Sequence, residues 1–180
     1  MKFCTECGAR VELRTPPGDE RQRFVCVGCN LVHYQNPKLV VGCVPEAQDG
    51  RIVLCKRAIE PRVGYWTIPA GFMENGETLQ QAAARESQEE ALADVEIGSL
   101  LGVVNVTHAH QVHVFFRARL RSPKIAPGPE SLEVMFVHEH EVPWQEIAFP
   151  STEFALRRYF EDRAAKVDNH HFVELNRRFR

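Results

Sequence analysis

The amino-acid sequence predicts an α/β protein in which a mixed β-sheet lies between helices, preceded by a small cysteine ribbon. Strand-like runs rich in Val, Ile and Leu recur between residues 39 and 138. Two helical segments, one from about residue 78 to 92 and one beginning at Ser151, are well separated among these strands. Strands mixed with separated helices are typical of an α/β/α layer arrangement. The 180 residues suffice for one core and a small appendage.

The composition and charge of the chain limit the classes of protein to which it can belong. The chain is 44% hydrophobic and 26% charged, which is ordinary for a globular protein, and its net charge is -2. The absence of a global basic field argues against nucleic-acid binding. The longest uncharged apolar run, Leu39 to Val44, is too short to span a bilayer, and no apolar leader precedes Cys4. We therefore expect a cytoplasmic protein that does not bind membranes.

Four of the six cysteines form a pattern near the start of the chain. Cys4 and Cys7 form one C-x-x-C pair, and Cys26 and Cys29 form a second pair 18 residues later. This spacing matches a four-thiolate zinc site, although disulfides or a redox dithiol are the alternatives. A ribbon over residues 1–35 cannot bury enough core to fold without such a metal, so we expect a structural Zn²⁺.

The elements of the second domain, expected over residues 36–165, follow in order. Asn36-Pro37 disfavours a helix and marks the domain boundary. The predicted strands are residues 39–45, 51–57, 65–68, 95–106, 112–120 and 132–138. The first predicted helix is residues 78–92. We expect Ser151 to cap the final helix, and residues 166–180 to form a C-terminal tail.

The first predicted helix carries a concentrated set of carboxylates. Glu86 and Glu90 are one turn apart, and Glu89 lies beside them; these three residues are the acidic cluster. Crowded carboxylates repel one another unless a cation lies between them, and hard divalent cations favour oxygen ligands. The cluster therefore predicts a metal site for phosphate chemistry.

The residues of this segment resemble the Nudix box, G-x5-E-x7-R-E-U-x-E-E-x-G-U. The matching positions are Gly71, Glu77, Arg85, Glu86, Glu89 and Glu90. Ser87 stands where the pattern has a hydrophobic residue, and Leu92 stands where it has glycine. The ribbon and the segments HYQNPKLVVGC, LCKRAIEP and APGPESLEV are similar to the zinc-ribbon Nudix hydrolases, especially the FAD and ADP-ribose pyrophosphatase group. The resemblance implies a Nudix-type α/β/α sandwich.

The same resemblance implies a metal-binding set. Glu86 and Glu90 are expected to coordinate a catalytic Mg²⁺ or Mn²⁺, with Glu89 sharing in the cluster. The backbone carbonyl of Ala70, just before the box glycine, is implied as a further ligand.

Three more residues receive catalytic roles from the resemblance. Arg85 and Glu77 are expected to pair and to hold the loop against the helix. Glu133 matches a glutamate that approaches the metals from a far strand, as either a ligand or a general base.

Four candidate substrate contacts come from the residues themselves. Arg57, at a strand end, could contact a substrate phosphate or serve as a surface cation. Tyr65 could stack on an aromatic ring of the substrate, and Gln111 and Glu130 could line the pocket.

The expected function is metal-dependent hydrolysis of the pyrophosphate linkage of a nucleoside diphosphate derivative, with FAD and ADP-ribose favoured and AMP released. The alternatives are an NADH or NAD-capped RNA pyrophosphatase and a non-enzymatic ligand-sensing or nucleic-acid-binding protein. The SQPWPFPxS motif of the NADH pyrophosphatases does not follow Ala93, which argues against NADH as the main substrate. The expected partners are a small nucleotide substrate and, from the resemblance, a second copy in a homodimer.

Overall fold

The first compact unit is a three-stranded ribbon. The computed structural model describes residues 1–176, and the chain divides into Met1–Pro37 and the segment from Lys38 onward. In the first unit, β1 (Val11–Arg14), β2 (Arg23–Cys26) and β3 (Val32–His33) form an antiparallel sheet in that order.

The second unit is built on one mixed sheet. Its strands are β4 (Lys38–Glu46), β5 (Ile52–Arg57), β6 (Trp66–Thr67), β7 (Ala70–Phe72), β8 (Val95–Val106), β9 (Gln111–Leu120), β10 (Ser131–Val137) and β11 (His171–Leu175). The main path is β10-β5-β4-β9-β8-β11, while β6 pairs with β5 and β7 pairs with β4. The β4–β9 and β8–β11 pairs are parallel and the other pairs are antiparallel.

Two α-helices cover the two faces of this sheet. These are α1 (Leu79–Ala91) and α2 (Pro150–Ala165), and short 3-10 turns occupy Thr107–Ala109, Glu139–Glu141 and Trp144–Glu146. A capping box begins α1: the Gln81 amide donates to Thr78 Oγ1 at 3.2 Å, and the Thr78 amide donates to Gln81 Oε1 at 2.8 Å. This capping box fixes where α1 starts, and hence which of its residues face the sheet.

The sheet is buried on both faces, as the continuous apolar runs of β4 and β5 require. Val53 and Cys55 pack toward α1, against small residues such as Ala82. Ile52 and Leu54 alternate with them and pack toward α2. Burial of each such aliphatic side chain contributes about 1.5–3 kcal/mol, so the two clusters hold both helices on the sheet. The predicted α/β/α arrangement is confirmed.

Two sequence-based expectations differ from the structure. Phe149, not Ser151, is the N-cap of α2, two residues before the expected cap, because the helix begins at Pro150, a residue suited to the first turn. The segment expected to be a tail contributes β11, which pairs with β8 over His171–Leu175. The remainder of that expected tail, residues 177–180, lies outside the described residues.

None of the described helices is long and apolar enough to cross a membrane.

Candidate active site

The three carboxylates of the acidic cluster on α1 differ in their burial. Glu86 and Glu90 are 7% and 6% exposed, whereas the Glu89 side chain is mostly exposed. The two buried carboxylates share a face because they are four residues apart on the helix. The helix thus carries two negative groups into the protein and one at its rim.

Arg85 holds the acidic cluster to the loop that precedes α1. Its Nε contacts Glu77 Oε1 at 2.6 Å, and its Nη1 donates to Glu86 Oε1 and Glu89 Oε2, each at 2.8 Å. Its Nη2 donates to the Phe72 carbonyl at 3.0 Å and to Glu77 at 3.1 Å. This guanidinium lowers the pKa of Glu77 and keeps that carboxylate charged. The structure therefore brings the predicted Arg85–Glu77 pair together.

The box glycine is required by the close approach of Glu86. A Cβ on Gly71 would lie 2.4 Å from the Glu86 carboxylate, so any side chain there would displace it. The neighbouring Ala70 amide donates to Glu90 Oε2 at 3.3 Å. β7 thus contacts both buried carboxylates, and Ala70 meets Glu90 through its amide, while the role of its carbonyl as a metal ligand stays a prediction.

The buried carboxylates are electrostatically unfavourable as anions. Burial, and then the charge of Glu86, raise the pKa of Glu90 to about 8. Burial also raises the pKa of Glu86, although Arg85 opposes this shift. A bound cation would stabilise the ionised forms of both groups, so this donor set fits a hard divalent metal.

The acidic cluster lines one wall of a cavity of about 1090 Å³. The lining includes Arg57, Ala70, Gly71, Arg85, Gln111 and Glu130, all of them singled out from the sequence. It also includes residues of β9 and of the first turn of α2. Volumes of this size accommodate a ligand larger than a mononucleotide.

Glu130, rather than Glu133, lines the same cavity as the acidic cluster. Its negative charge contributes to the raised pKa of both Glu86 and Glu90, after the larger effect of burial. Glu133 lies outside the cavity lining, with its exposed carboxylate 3.6 Å from Lys56 Nζ. A register shift in β10 between Ser131 and Glu133 separates the two environments.

The predicted substrate contacts divide between the cavity and the surface. The Arg57 guanidinium lies 5.0 Å from the Phe149 ring centroid, and its Nε donates to the Pro61 carbonyl at 2.8 Å. Both Arg57 and Gln111 line the cavity, whereas Tyr65 stacks under Arg62 outside the described lining.

Sequence patterns gave little indication that β9 contributes to the cavity. His113 and Phe115 line it from β9, and His113 Nε2 lies 2.9 Å from Gln111 Oε1. Burial lowers the pKa of His113 to about 4, so its imidazole is neutral at physiological pH. Gln111, His113 and Phe115 are two residues apart, and residues at this spacing share one face of a strand. This alternation was the available indication in the sequence that they line one surface.

The two departures from the box pattern have local explanations. Ser87 is fully buried, and its hydroxyl donates to the Ala83 carbonyl at 2.9 Å and lies 3.1 Å from Cys43 Sγ. Leu92 ends α1 with a φ of 47°, the left-handed conformation for which glycine is favoured. Ser87 lies within an uninterrupted α1, and Leu92 forms its C-cap.

The four ribbon cysteines form a separate cluster. Their sulfur atoms all lie within 4.8 Å of one another, and within residues 1–176 no other set of three or more candidate ligands is so compact. Cys26 Sγ accepts hydrogen bonds from the amides of Gly28 and Cys29 at 3.3 and 3.4 Å. The Cys29 amide, more than any other group, lowers the pKa of Cys26 to about 6, which favours a metal-binding thiolate.

The comparisons with known proteins agree with this architecture. The model of the NUDIX domain matches residues 36–161, and the model "Nudix N-terminal", a zinc ribbon, matches residues 2–35. The chain belongs to the Nudix hydrolase family. The crystal structure of a NUDIX hydrolase from Nitrosomonas europaea is 50% identical with a TM-score of 0.94, covering 98% of this chain and 100% of that one.

Two curated relatives carry more specific names. The NAD-capped RNA hydrolase NudC of Stutzerimonas stutzeri (strain A1501) is 28% identical over 73% of this chain and 46% of that protein. The ADP-ribose pyrophosphatase of Methanocaldococcus jannaschii is 30% identical over 61% of this chain and 67% of that protein. The chain thus spans about half the length of the first of these relatives.

Proposed function

We propose that the protein hydrolyses the pyrophosphate linkage of a nucleoside diphosphate derivative, with ADP-ribose and FAD favoured as substrates and AMP as a product. The observation that carries the proposal is the acidic cluster on α1, held by Arg85 at the wall of a cavity of about 1090 Å³. The Nudix hydrolase family supplies the reaction class.

The chain's own residues fit the chemistry of pyrophosphate hydrolysis. Mg²⁺ or Mn²⁺, when bound, would neutralise phosphate oxygens and lower the pKa of a water molecule. Glu86, Glu89 and Glu90 would hold the cation, with the Ala70 carbonyl as a further ligand. Arg85 and Glu77 position the helix and loop by the hydrogen bonds described above. Glu130, which lines the same cavity as Glu86 and Glu90, would accept the proton of the attacking water in preference to Glu133, which does not line it.

The part of the cavity lined by β9 is suited to an uncharged, hydrogen-bonding group of the substrate. The neutral His113 and Gln111 present polar groups beside the aromatic ring of Phe115. A nucleobase or ribose offers matching donors and acceptors together with an apolar face. The name of the archaeal relative, ADP-ribose pyrophosphatase, supports the same substrate class.

An NAD-capped RNA or NADH pyrophosphatase is the second candidate. It is favoured by the name of the NudC relatives and by the ribbon that precedes the catalytic unit. An RNA substrate would add a nucleic-acid partner, which the net charge of -2 does not favour.

Further properties belong to the same proposal. The ribbon, over about residues 1–35, would hold Zn²⁺ for folding rather than for catalysis, because its four thiolates leave no open coordination position. We also expect a cytoplasmic homodimer, in keeping with the family resemblance.

A substrate panel tests the proposal directly. Purified protein with Mg²⁺ is incubated with ADP-ribose, FAD, NADH and NAD-capped RNA, and products are separated. We expect AMP with ribose 5-phosphate from ADP-ribose, and AMP with FMN from FAD. Preference for NAD-capped RNA or NADH would establish the second candidate.

A pair of variants separates catalysis from binding alone. Glu90→Gln should lower turnover by at least ~100-fold, equivalent to about 2.7 kcal/mol of transition-state stabilisation. Glu96→Gln, an exposed position on β8, is the matched control and should retain wild-type turnover. No AMP from any substrate would sink the enzyme proposal and favour a ligand-sensing protein.

A further inference from the structure

The N-terminus of α2 opens into the cavity without a side-chain cap. Phe149 is the N-cap and makes no side-chain hydrogen bond to the helix, and Pro150 follows it. The Glu153 amide donates to the Phe149 carbonyl at 3.0 Å, but the amides of Ser151 and Thr152 precede the first helical acceptor. The positive end of a 16-residue helix therefore faces the cavity with free donors.

Ser151 provides an independent indication of a ligand. It is 2% exposed and lines the cavity, yet its hydroxyl has no hydrogen-bond partner within residues 1–176. The neighbouring Thr152 differs, since its Oγ1 lies 3.1 Å from Thr67 Oγ1. Among the described residues, the buried side-chain N and O atoms without a partner are His33 Nε2 and Ser131 Oγ. The Ser151 hydroxyl is therefore open to the cavity, where it can donate to an acceptor from outside the chain.

Arg57 adds a positive charge at the same place. Its guanidinium lies over the ring of the N-cap residue Phe149 and is fixed by its hydrogen bonds to the Pro61 and Ile59 carbonyls. A cation beside the positive end of a helix is unfavourable unless an anion lies between them. Arg57 also lines the same cavity as the acidic cluster and Ser151.

We propose that Arg57, the Ser151 hydroxyl and the amides of Ser151 and Thr152, the α2 anion site, bind a phosphate group of the nucleotide substrate. The proposal rests on the proposed function and extends it to the part of the cavity lined by the first turn of α2. A phosphate there would receive one charge-assisted contact and up to three neutral donors. The substrate diphosphate would then be held from two sides, by a cation on the acidic cluster and by the α2 anion site.

Phosphate binding can be measured without turnover. ¹⁵N-labelled full-length protein, in buffer without added divalent cation, is titrated with inorganic phosphate while amide signals are followed by NMR. We expect saturable shifts of the Ser151 and Thr152 amides. Sulfate should produce the same shifts, and chloride at equal ionic strength should not.

Substitutions at Ser151 distinguish binding from a structural role. Ser151→Asp should weaken phosphate binding at least tenfold, because its carboxylate competes for the free amides, while acidic residues in a first turn favour the helix. Ser151→Ala, which removes only the hydroxyl, should raise KM for the hydrolysed substrate several-fold. Gln145→Asp adds the same charge at an exposed position outside the lining and should change neither value.

The outcomes separate this proposal from the proposed function. Hydrolysis with no phosphate-induced shift at Ser151 or Thr152, or equal weakening by Gln145→Asp, would overturn the α2 anion site alone. Saturable phosphate binding at these amides in a protein that hydrolyses nothing would support the site and refute the enzyme.

Discussion

At the scale of single residues, Leu92 carries a conformational cost that its neighbours do not. Its φ of 47° brings a branched side chain into the left-handed region, which costs a non-glycine residue about 1–2 kcal/mol. The position is nevertheless set by the cap, because the Leu92 amide donates to the Gln88 carbonyl at 3.1 Å. The helix thus ends in a left-handed residue although glycine is absent from this position.

Leu92→Gly should therefore stabilise the protein. We expect the free energy of unfolding to rise by about 0.5–1 kcal/mol, since the relief of strain exceeds the added freedom of the unfolded chain. Urea unfolding measures the change. Leu92→Ala keeps a Cβ and should give no gain, so equal stabilisation by both variants would contradict this explanation.

His113 should make stability depend on pH. Burial lowers its pKa to about 4 from an ordinary 6.5, so folding favours the neutral ring. The resulting stabilisation is complete above pH 6.5 and is lost as pH falls toward 4. Relative to His113→Gln, wild-type protein should lose about 2 kcal/mol of unfolding free energy between pH 8 and pH 5.

Chemical unfolding at both pH values provides the comparison for His113. The measured quantity is the difference in unfolding free energy between wild type and His113→Gln, so the titration of the remaining groups largely cancels. His170→Gln, at an exposed histidine, should keep the wild-type pH dependence. A pH dependence unchanged by His113→Gln would show that this imidazole titrates normally.

At the scale of elements, the segment between β9 and β10 is fastened to the end of α1. The Ala126 amide donates to the Ala91 carbonyl at 2.9 Å, and the Gly128 amide donates to the Glu90 carbonyl at 3.0 Å. A Cβ on Gly128 would lie 1.6 Å from the Glu89 carbonyl oxygen. This contact permits only glycine, and it places Glu130 in the cavity.

Gly128→Ala should disturb the site through this segment. The added methyl group forces the loop away from α1, so we expect a loss of at least about 1 kcal/mol of stability. Turnover should fall at least tenfold, because Glu130 moves away from Glu86 and Glu90. Calorimetry and steady-state hydrolysis of ADP-ribose measure the two effects.

Lys124→Ala, at an exposed position of the same segment, is the control for Gly128 and should leave both quantities unchanged. Gly128→Ala with normal turnover would argue that Glu130 has no role in the reaction.

The elements also explain how far the sequence predicts this site. Gly71, Arg85 and the acidic cluster lie on one loop and one helix, where spacing determines which side chains meet. The choice between Glu130 and Glu133 depends on a register shift in β10, and no local spacing reveals that shift. Ser151 was predicted as a helix cap, because its type suits that role; only the fold shows Pro150 beginning the helix and Ser151 facing a cavity.

At the scale of the whole molecule, two metal sites of different chemistry are assigned to two compact units. The thiolates of the ribbon lie within Met1–Pro37, and the acidic cluster lies in the unit that begins at Lys38. The second unit has two apolar clusters of its own, one on each face of its sheet. The ribbon has few buried apolar side chains, such as Val25, so its fold should depend on its metal.

Loss of zinc should therefore unfold the ribbon and spare the catalytic unit. Cys29→Ser is the test variant, because Cys29 is exposed and its replacement creates no cavity in a core. In NMR spectra we expect the amide signals of residues 1–37 to lose dispersion while those of the second unit keep theirs. Turnover of ADP-ribose at saturating Mg²⁺ should stay within about twofold of wild type, because a ribbon that loses zinc when only three thiolates remain contributes none of the cavity residues.

Thr5→Ser is the control for the ribbon, and metal analysis should find one zinc per chain in this variant and in wild type. Simultaneous collapse of both units in Cys29→Ser would mean that the ribbon supports the catalytic fold, and a folded, zinc-free ribbon would refute its metal site.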